Sequence, residues 1–140
     1  MARILFIEDE APLMDGLINC LKRAGHEVES ILTAADGLNR LEQNRNGYDV
    51  VLLDLRLPQG EPPTFRGKSI PAIGPEEPGE FVLAQVAESW PGLPVIVLTA
   101  IRSSLNGLQH PTKCTLLRKP VMIGGLLQEI DEILGADPRR

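Results

Sequence analysis

Short apolar runs alternate with helical patterns along most of this 140-residue chain. Residues 3–7, RILFI, predict a buried strand, and Glu8, Asp9 and Glu10 follow at once. Pro12 suits the first turn of a helix, where its missing N–H leaves nothing unpaired. Leu13, Leu17, Leu21 and Ala24 recur at helical spacing, and Gly25 is a stop signal. HEVES (26–30) predicts a short strand with a polar side, near a sheet edge. Ala34, Leu38 and Leu41 predict a second helix, ending in the polar NRNG at 44–47. DVVLL (49–53) is the next strand. FVLAQVAESW (81–90) is a third helix, with Val82, Val86 and Trp90 on one face and Pro91 as its stop. PVIVLTA (94–100) is a fully apolar strand, IRSSLNGLQHP (101–111) a weak helix holding Gly107, and CTLLRKP (114–120) the last strand. Ile123, Leu126, Leu127, Ile130, Ile133 and Leu134 mark the final helix, capped by Gly135.

Five strands alternating with five helical segments, the strands nearly continuous in apolar residues, predict an α/β fold. Its sheet is parallel and covered on both faces. One stretch breaks the rhythm. QGEPPTFRGKSIPAIGPEEPGE (59–80) is rich in Pro and Gly, has no periodicity and reads as a long loop inserted between the third strand and the third helix. Loops of this length are usually functional or disordered. Both remain open here: a disordered loop, or a lid or partner-binding segment using Phe65, Arg66, Lys68 and Ile70. The expected organisation is one domain over 1–135, with 136–140 a frayed tail.

Composition narrows the function classes. Hydrophobic residues make up 43% and charged residues 24%, an ordinary globular balance. A net charge of −5 argues against a nucleic-acid-binding face, which needs a basic surface. One Trp, one Tyr and three Phe argue against a base-stacking platform. Cys20 and Cys114 are far apart and form no CxxC pair, so they read as reduced thiols. His26 and His110 read as surface residues. No apolar run is long enough to span a bilayer, and MARILFIEDEA is not a secretory signal. The expected location is the cytoplasm.

The chemistry-bearing residues follow the strands. Glu8 and Asp9 come after RILFI, Asp54 after DVVLL, Thr99 after VIVL, and Lys119 after TLLR. In an open parallel sheet, ligands bind outside the carboxyl ends of the strands, where strand order reverses. One crevice would therefore gather acids, a hydroxyl and an amine from four separate places in the chain. Clustered carboxylates repel and raise one another's pKa values. A hard divalent cation relieves that conflict, and Mg²⁺ prefers oxygen ligands while keeping several waters. Asp54 can act as a nucleophile toward phosphorus. A metal and Lys119 would neutralise charge on the phosphoryl oxygens, Thr99 could bond one of them, and Ala100 is small enough to leave access.

IEDE (7–10), LLDLRLP (52–58), LTA (98–100) and KP (119–120) together resemble a response-regulator receiver domain, CheY-like, over nearly the whole chain. The resemblance implies a flavodoxin-like (βα)5 doubly wound sheet with strand order 2-1-3-4-5 and an insertion in the β3–α3 loop. It implies that Asp54 is the phospho-acceptor. It also implies that Glu8, Asp9 and Asp54 hold Mg²⁺ with the backbone carbonyl of Arg56. Thr99 resembles the switch hydroxyl and Lys119 the phosphate-binding lysine. Pro120 matches a residue that in this family often follows a cis peptide. The implied partners are a sensor histidine kinase or phosphotransfer protein and a downstream protein, with no direct nucleic-acid contact and no membrane insertion. The chain is expected to act as a stand-alone receiver, assisting its own phosphorylation and dephosphorylation rather than working as an enzyme on other substrates.

Three features depart from the family pattern. Leu116 stands where receivers often carry Tyr or Phe, three residues before the lysine. The segment after Thr99 is short and poorly helical. The third departure is the insertion. The first and third motivate an alternative: a receiver-like interaction module that signals without phosphorylation. A phosphatase of the haloacid dehalogenase class also uses an aspartyl nucleophile, but it needs a second acid two residues on as general acid–base. Arg56 occupies that place.

Overall fold

Each apolar run sends alternate side chains to opposite sides of the sheet, and both sides are filled. The computed structural model describes residues 2–8, 15–44, 47–55, 64–65, 68–69, 78–100 and 104–135. Arg3–Ile7 forms β1, Glu27–Ile31 β2, Val50–Asp54 β3, Val95–Thr99 β6 and Cys114–Arg118 β7. All pair in parallel in the order β2-β1-β3-β6-β7. This is the expected 2-1-3-4-5 order of the flavodoxin-like fold. Leu5, Ile7, Val51, Leu53, Val95 and Val97 face one layer, where α2 (Ala34–Gln43) and α3 (Pro78–Ser89) cover them with Leu38, Leu41, Val82 and Val86. Ile4, Phe6, Val50, Leu52, Ile96 and Leu98 face the other. There α1 (Asp15–Arg23) contributes Ile18 and Leu21, and α4 (Ile123–Gly135) contributes Leu126 and Ile130. Burial on both faces is why side chains along these strands alternate in direction but not in polarity.

Local signals end the helices as expected. Gly25, with φ of +96°, follows α1; its N–H donates to Lys22 O, and the His26 N–H donates to Leu21 O, the paired bonds of a Schellman cap. Thr33 caps α2, its hydroxyl accepting from the Asp36 N–H at 3.2 Å. Gly135 is the last residue of α4 rather than a cap beyond it. Gly37 lets α2 press on β1, because a Cβ there would sit 2.6 Å from Ile7 Cδ1.

Several expectations need correction. The described residues contain four helices, not five. Residues 104–113 between β6 and β7 form turns, with Gly107 at φ +84°. Ser, Asn, Gly and Pro in that segment favour turn conformations over helix, and Leu105 and Leu108 still pack on the α2–α3 layer. Helix α3 begins at Pro78 rather than 81, with Pro at the first helical position. The inserted stretch is not wholly loop: β4 (Thr64–Phe65) and β5 (Lys68–Ser69) pair antiparallel, Phe65 opposite Lys68. Its other residues before Pro78 lie outside the described set, as do Asp9, Glu10, Pro12, Leu13, Arg56 and the 136–140 tail. His26 is buried rather than a surface residue, its Nδ1 accepting from the Ala2 N–H at 3.0 Å. Cys20 and Cys114 are free thiols, and burial pushes Cys114 up to about 12. No helix among the described residues is long and apolar enough to cross a membrane.

Candidate functional site

The register of the sheet lines up the strand ends. Ile7 pairs with Leu53, so Glu8 and Asp54, each one residue further on, sit side by side on adjacent strands. The Glu8 N–H continues the ladder by donating to Ile31 O at 3.0 Å. Asp54, the last residue of β3, is opposite Leu98, and Thr99 ends β6 immediately after it. The Lys119 N–H donates to Thr99 O at 2.8 Å, carrying the β6–β7 pairing one step past β7. The Lys119–Pro120 peptide is cis. Glu8, Asp54 and Thr99 are buried at 1%, 4% and 2% exposure, while the other buried side chains among the described residues are nearly all apolar.

Lys119 joins the acids. Its Nζ stands 3.2 Å from Asp54 Oδ2, to which it donates, and 3.0 Å from Glu8 Oε2. One ammonium thus serves two carboxyl groups. The electrostatics follow from that imbalance. Glu8 is pushed up to about 7, chiefly by burial and then by a hydrogen bond with Asp54 that favours its protonated form; Lys119 pulls the other way. Burial alone would lower the Lys119 pKa, but the hydrogen bond with Glu8 and the charges of Asp54 and Glu8 outweigh it, so the ammonium is held above its usual range. A pair of buried hard oxygen donors sharing one ammonium among the described residues fits a divalent cation that prefers oxygen ligands, Mg²⁺ above all. Glu8 and Asp54 could hold it directly. The other two expected donors, Asp9 and the Arg56 carbonyl, lie outside the described residues.

Of the residues singled out in the sequence, Glu8, Asp54 and Lys119 meet in one cluster, and Thr99 ends the neighbouring strand. Ala100 beside them is exposed. Similarity to known proteins fits this arrangement. The chain is 30% identical over 135 residues to the transcriptional regulatory protein GlrR of Escherichia coli K12, a match covering 95% of this chain and 26% of GlrR. Among solved structures, a response regulator receiver domain protein from Clostridium thermocellum is 25% identical with a TM-score of 0.69, covering 96% of this chain and 95% of that one. The chain is a CheY-like receiver domain. A CheY-like receiver domain from Methanospirillum hungatei JF-1 also superposes, at TM-score 0.69 and 24% identity, over 98% of this receiver and 99% of that chain. No family model matches the chain. The receiver spans about a quarter of the length of GlrR.

Two features of this receiver escaped the sequence reading. One is a polar cluster on β2, away from the acids. Arg40 of α2 grips Glu29 through Nε at 3.0 and 2.9 Å, and the Tyr48 hydroxyl donates to Glu29 Oε2 at 2.5 Å. The Arg40 contact holds Glu29 below the usual carboxylate range, while burial first, and then the bond to Glu29, pushes Tyr48 up to about 12. Arg3 lies over the Tyr48 ring at 5.1 Å. Sequence spacing gave no sign of it, because the three residues come from different elements. The other is Gly79, in the first turn of α3. Its N–H donates to Leu55 O at 3.0 Å, directly after Asp54.

Proposed function

We propose that this receiver accepts a phosphoryl group on Asp54 from a phosphohistidine of a sensor histidine kinase or phosphotransfer protein, in the cytoplasm. The observation that carries the reading is the shared ammonium: Lys119 Nζ within 3.2 Å of both Asp54 and Glu8 at the carboxyl ends of parallel strands. An Asp54 oxygen forms the new bond to phosphorus as the phosphorus–nitrogen bond of the donor breaks. The imidazole keeps the electron pair and takes a proton from solvent. Lys119 offsets charge on the phosphoryl oxygens, and the Thr99 hydroxyl donates to one of them. Mg²⁺ held by Glu8, Asp9, Asp54 and the Arg56 carbonyl supplies further charge neutralisation. The phosphoryl group carries about −2 at neutral pH in place of the single charge of the carboxylate, and this extra charge draws Thr99 and Lys119 inward and biases a two-state surface read by a downstream protein. The protein assists transfer and hydrolysis on its own Asp54 and turns over no other substrate.

A second reading is a receiver fold that signals through protein contacts without phosphorylation. Leu116, half-buried where receivers often place an aromatic ring, and the non-helical segment 104–113 favour it.

Intact-mass measurement after incubation with Mg²⁺ and a small acyl-phosphate donor separates the two. The first reading expects one phosphoryl adduct, lost in Asp54→Asn. No adduct from either the donor or a kinase supports the second. Repeated turnover of phosphate esters would overturn both.

A further inference from the structure

Leu55 lies just beyond the last ladder pair of β3, Asp54 opposite Leu98. What fixes its backbone is α3. The Gly79 N–H donates to Leu55 O at 3.0 Å, and the approach is so close that a Cβ on Gly79 would lie 2.3 Å from both the Leu55 Cα and its carbonyl oxygen and 2.5 Å from the carbonyl carbon. Real Cβ atoms essentially never come within 3.0 Å of another group in this way, and here the obstructing atoms are all backbone. The Leu55 side chain is buried at 3% exposure and packs in the same layer as Val82 and Leu83 of α3. Leu55 is therefore held between the acid before it and the first turn of α3, which follows it after the whole inserted stretch.

We infer that Gly79 is a positioning residue for Asp54: its N–H and its bare Cα clasp the Leu55 peptide, so that the first turn of α3 sets where the Asp54 carboxylate is presented to Mg²⁺ and phosphoryl donor. The inference rests on the reading of Asp54 as phospho-acceptor. The same bond joins the residue directly after Asp54 to the first turn of α3. Only Gly serves at position 79, because any side chain would push the Leu55 backbone by most of an ångström, and misplacement of that order can cost roughly 100-fold in rate.

The test compares Gly79→Ala with Val86→Ala. Val86 is fully buried on the same helix and takes no part in the Gly79–Leu55 hydrogen bond. Phosphorylation by a small acyl-phosphate donor, the Mg²⁺ concentration giving half the maximal rate, and melting temperature are measured for each. The expected result is a rate loss of at least about tenfold and a raised Mg²⁺ midpoint in Gly79→Ala, with Val86→Ala losing thermal stability but keeping the wild-type rate and midpoint. Equal rates in Gly79→Ala and wild type, or an equal loss in Val86→Ala, overturn the inference. Should Gly79→Ala not fold, amide hydrogen exchange on the wild type decides. At Mg²⁺ concentrations that support phosphorylation, protection of the Gly79 N–H rises while that of the Trp90 N–H, which donates to Val86 O at 2.8 Å, does not. An unchanged Gly79 amide overturns the clasp. A wild-type protein that accepts no phosphoryl group overturns the proposed function itself, and the inference with it.

Discussion

Lys119 reaches across 65 positions of sequence to place its Nζ 3.2 Å from Asp54 Oδ2. The contact is made by topology: β7 is next to β6, β6 is next to β3, and the bond from the Lys119 N–H to Thr99 O holds the lysine at the strand ends. Replacing Lys119 by Met leaves Glu8 and Asp54 buried together with no cation beside them. Breaking one partner from a buried ion pair is destabilising. With Lys119 itself part-exposed, the expected cost at neutral pH is about 2 kcal/mol, below the range for fully buried pairs. Urea unfolding of Lys119→Met at pH 7.5 checks it. The loss is expected to shrink with added Mg²⁺, which takes over the neutralising role.

Glu8 gives the stability a pH signature. Its pKa in the folded protein is about 7 against 4.5 for an ordinary exposed glutamate, so between those values the folded state keeps a proton that the unfolded state has lost. Stability from this group is therefore fully present below pH 4.5 and is lost as pH rises through 7. The size is on the order of 2–3 kcal/mol. Glu8→Gln, which cannot ionise, is expected to lack this fall, so the difference in unfolding free energy between wild type and Glu8→Gln grows from pH 5 to pH 7.5. The same proton competes with metal, and Mg²⁺ affinity is expected to rise over that interval in the wild type. A constant difference between the two proteins across the interval contradicts the assignment.

Asp54 and Glu8 are coupled, and the coupling has a direction. Asp54 raises the Glu8 pKa both by hydrogen bonding and by its charge. Asp54→Asn removes the charge, so the Glu8 carboxyl is expected to titrate below 7, though burial still holds it above an exposed glutamate. Carbon-13 NMR of the side-chain carboxyls follows this directly. An unmoved Glu8 titration in Asp54→Asn would mean that burial alone sets its value.

The candidate site was largely legible because its chemistry is punctuation. Each of RILFI, DVVLL, VIVL and TLLR is apolar until it ends, and Glu8, Asp54, Thr99 and Lys119 stand where the sheet gives way to loops. A parallel sheet then brings those ends together whatever lies between them. Residues 101–111 show the limit of the same method. Leu105 and Leu108 have helical spacing and do pack on the core, but Gly107 adopts a positive φ and the chain turns instead. Spacing registers which side chains are buried and not which backbone buries them. His26 takes the backbone N–H of Ala2 as a partner, and no side-chain pattern in the sequence records that. Gly79 was passed over inside a Pro- and Gly-rich stretch, where a glycine needed for close approach looks like any other.

Gly37 offers a test of packing in which the strain can be relieved by a known atom. A Cβ at position 37 would meet Ile7 Cδ1 at 2.6 Å and Cγ1 at 3.1 Å, with Cγ2 at an ordinary 3.4 Å. The nearest obstruction is the far end of one side chain. Gly37→Ala gains helix propensity, worth about 1 kcal/mol, but overpacks the interface between α2 and β1 at a cost of about 1–3 kcal/mol. The net expectation is a loss of about 1 kcal/mol. Ile7→Val deletes Cδ1 and by itself costs about 1 kcal/mol through the small cavity it leaves. In the double variant the new methyl occupies that cavity. Its stability is expected to lie close to wild type, with a coupling of about 1–2 kcal/mol in the double-mutant cycle. Chemical denaturation of the four proteins measures it. Additive losses would show that α2 moves away from β1 to admit the methyl rather than meeting Ile7.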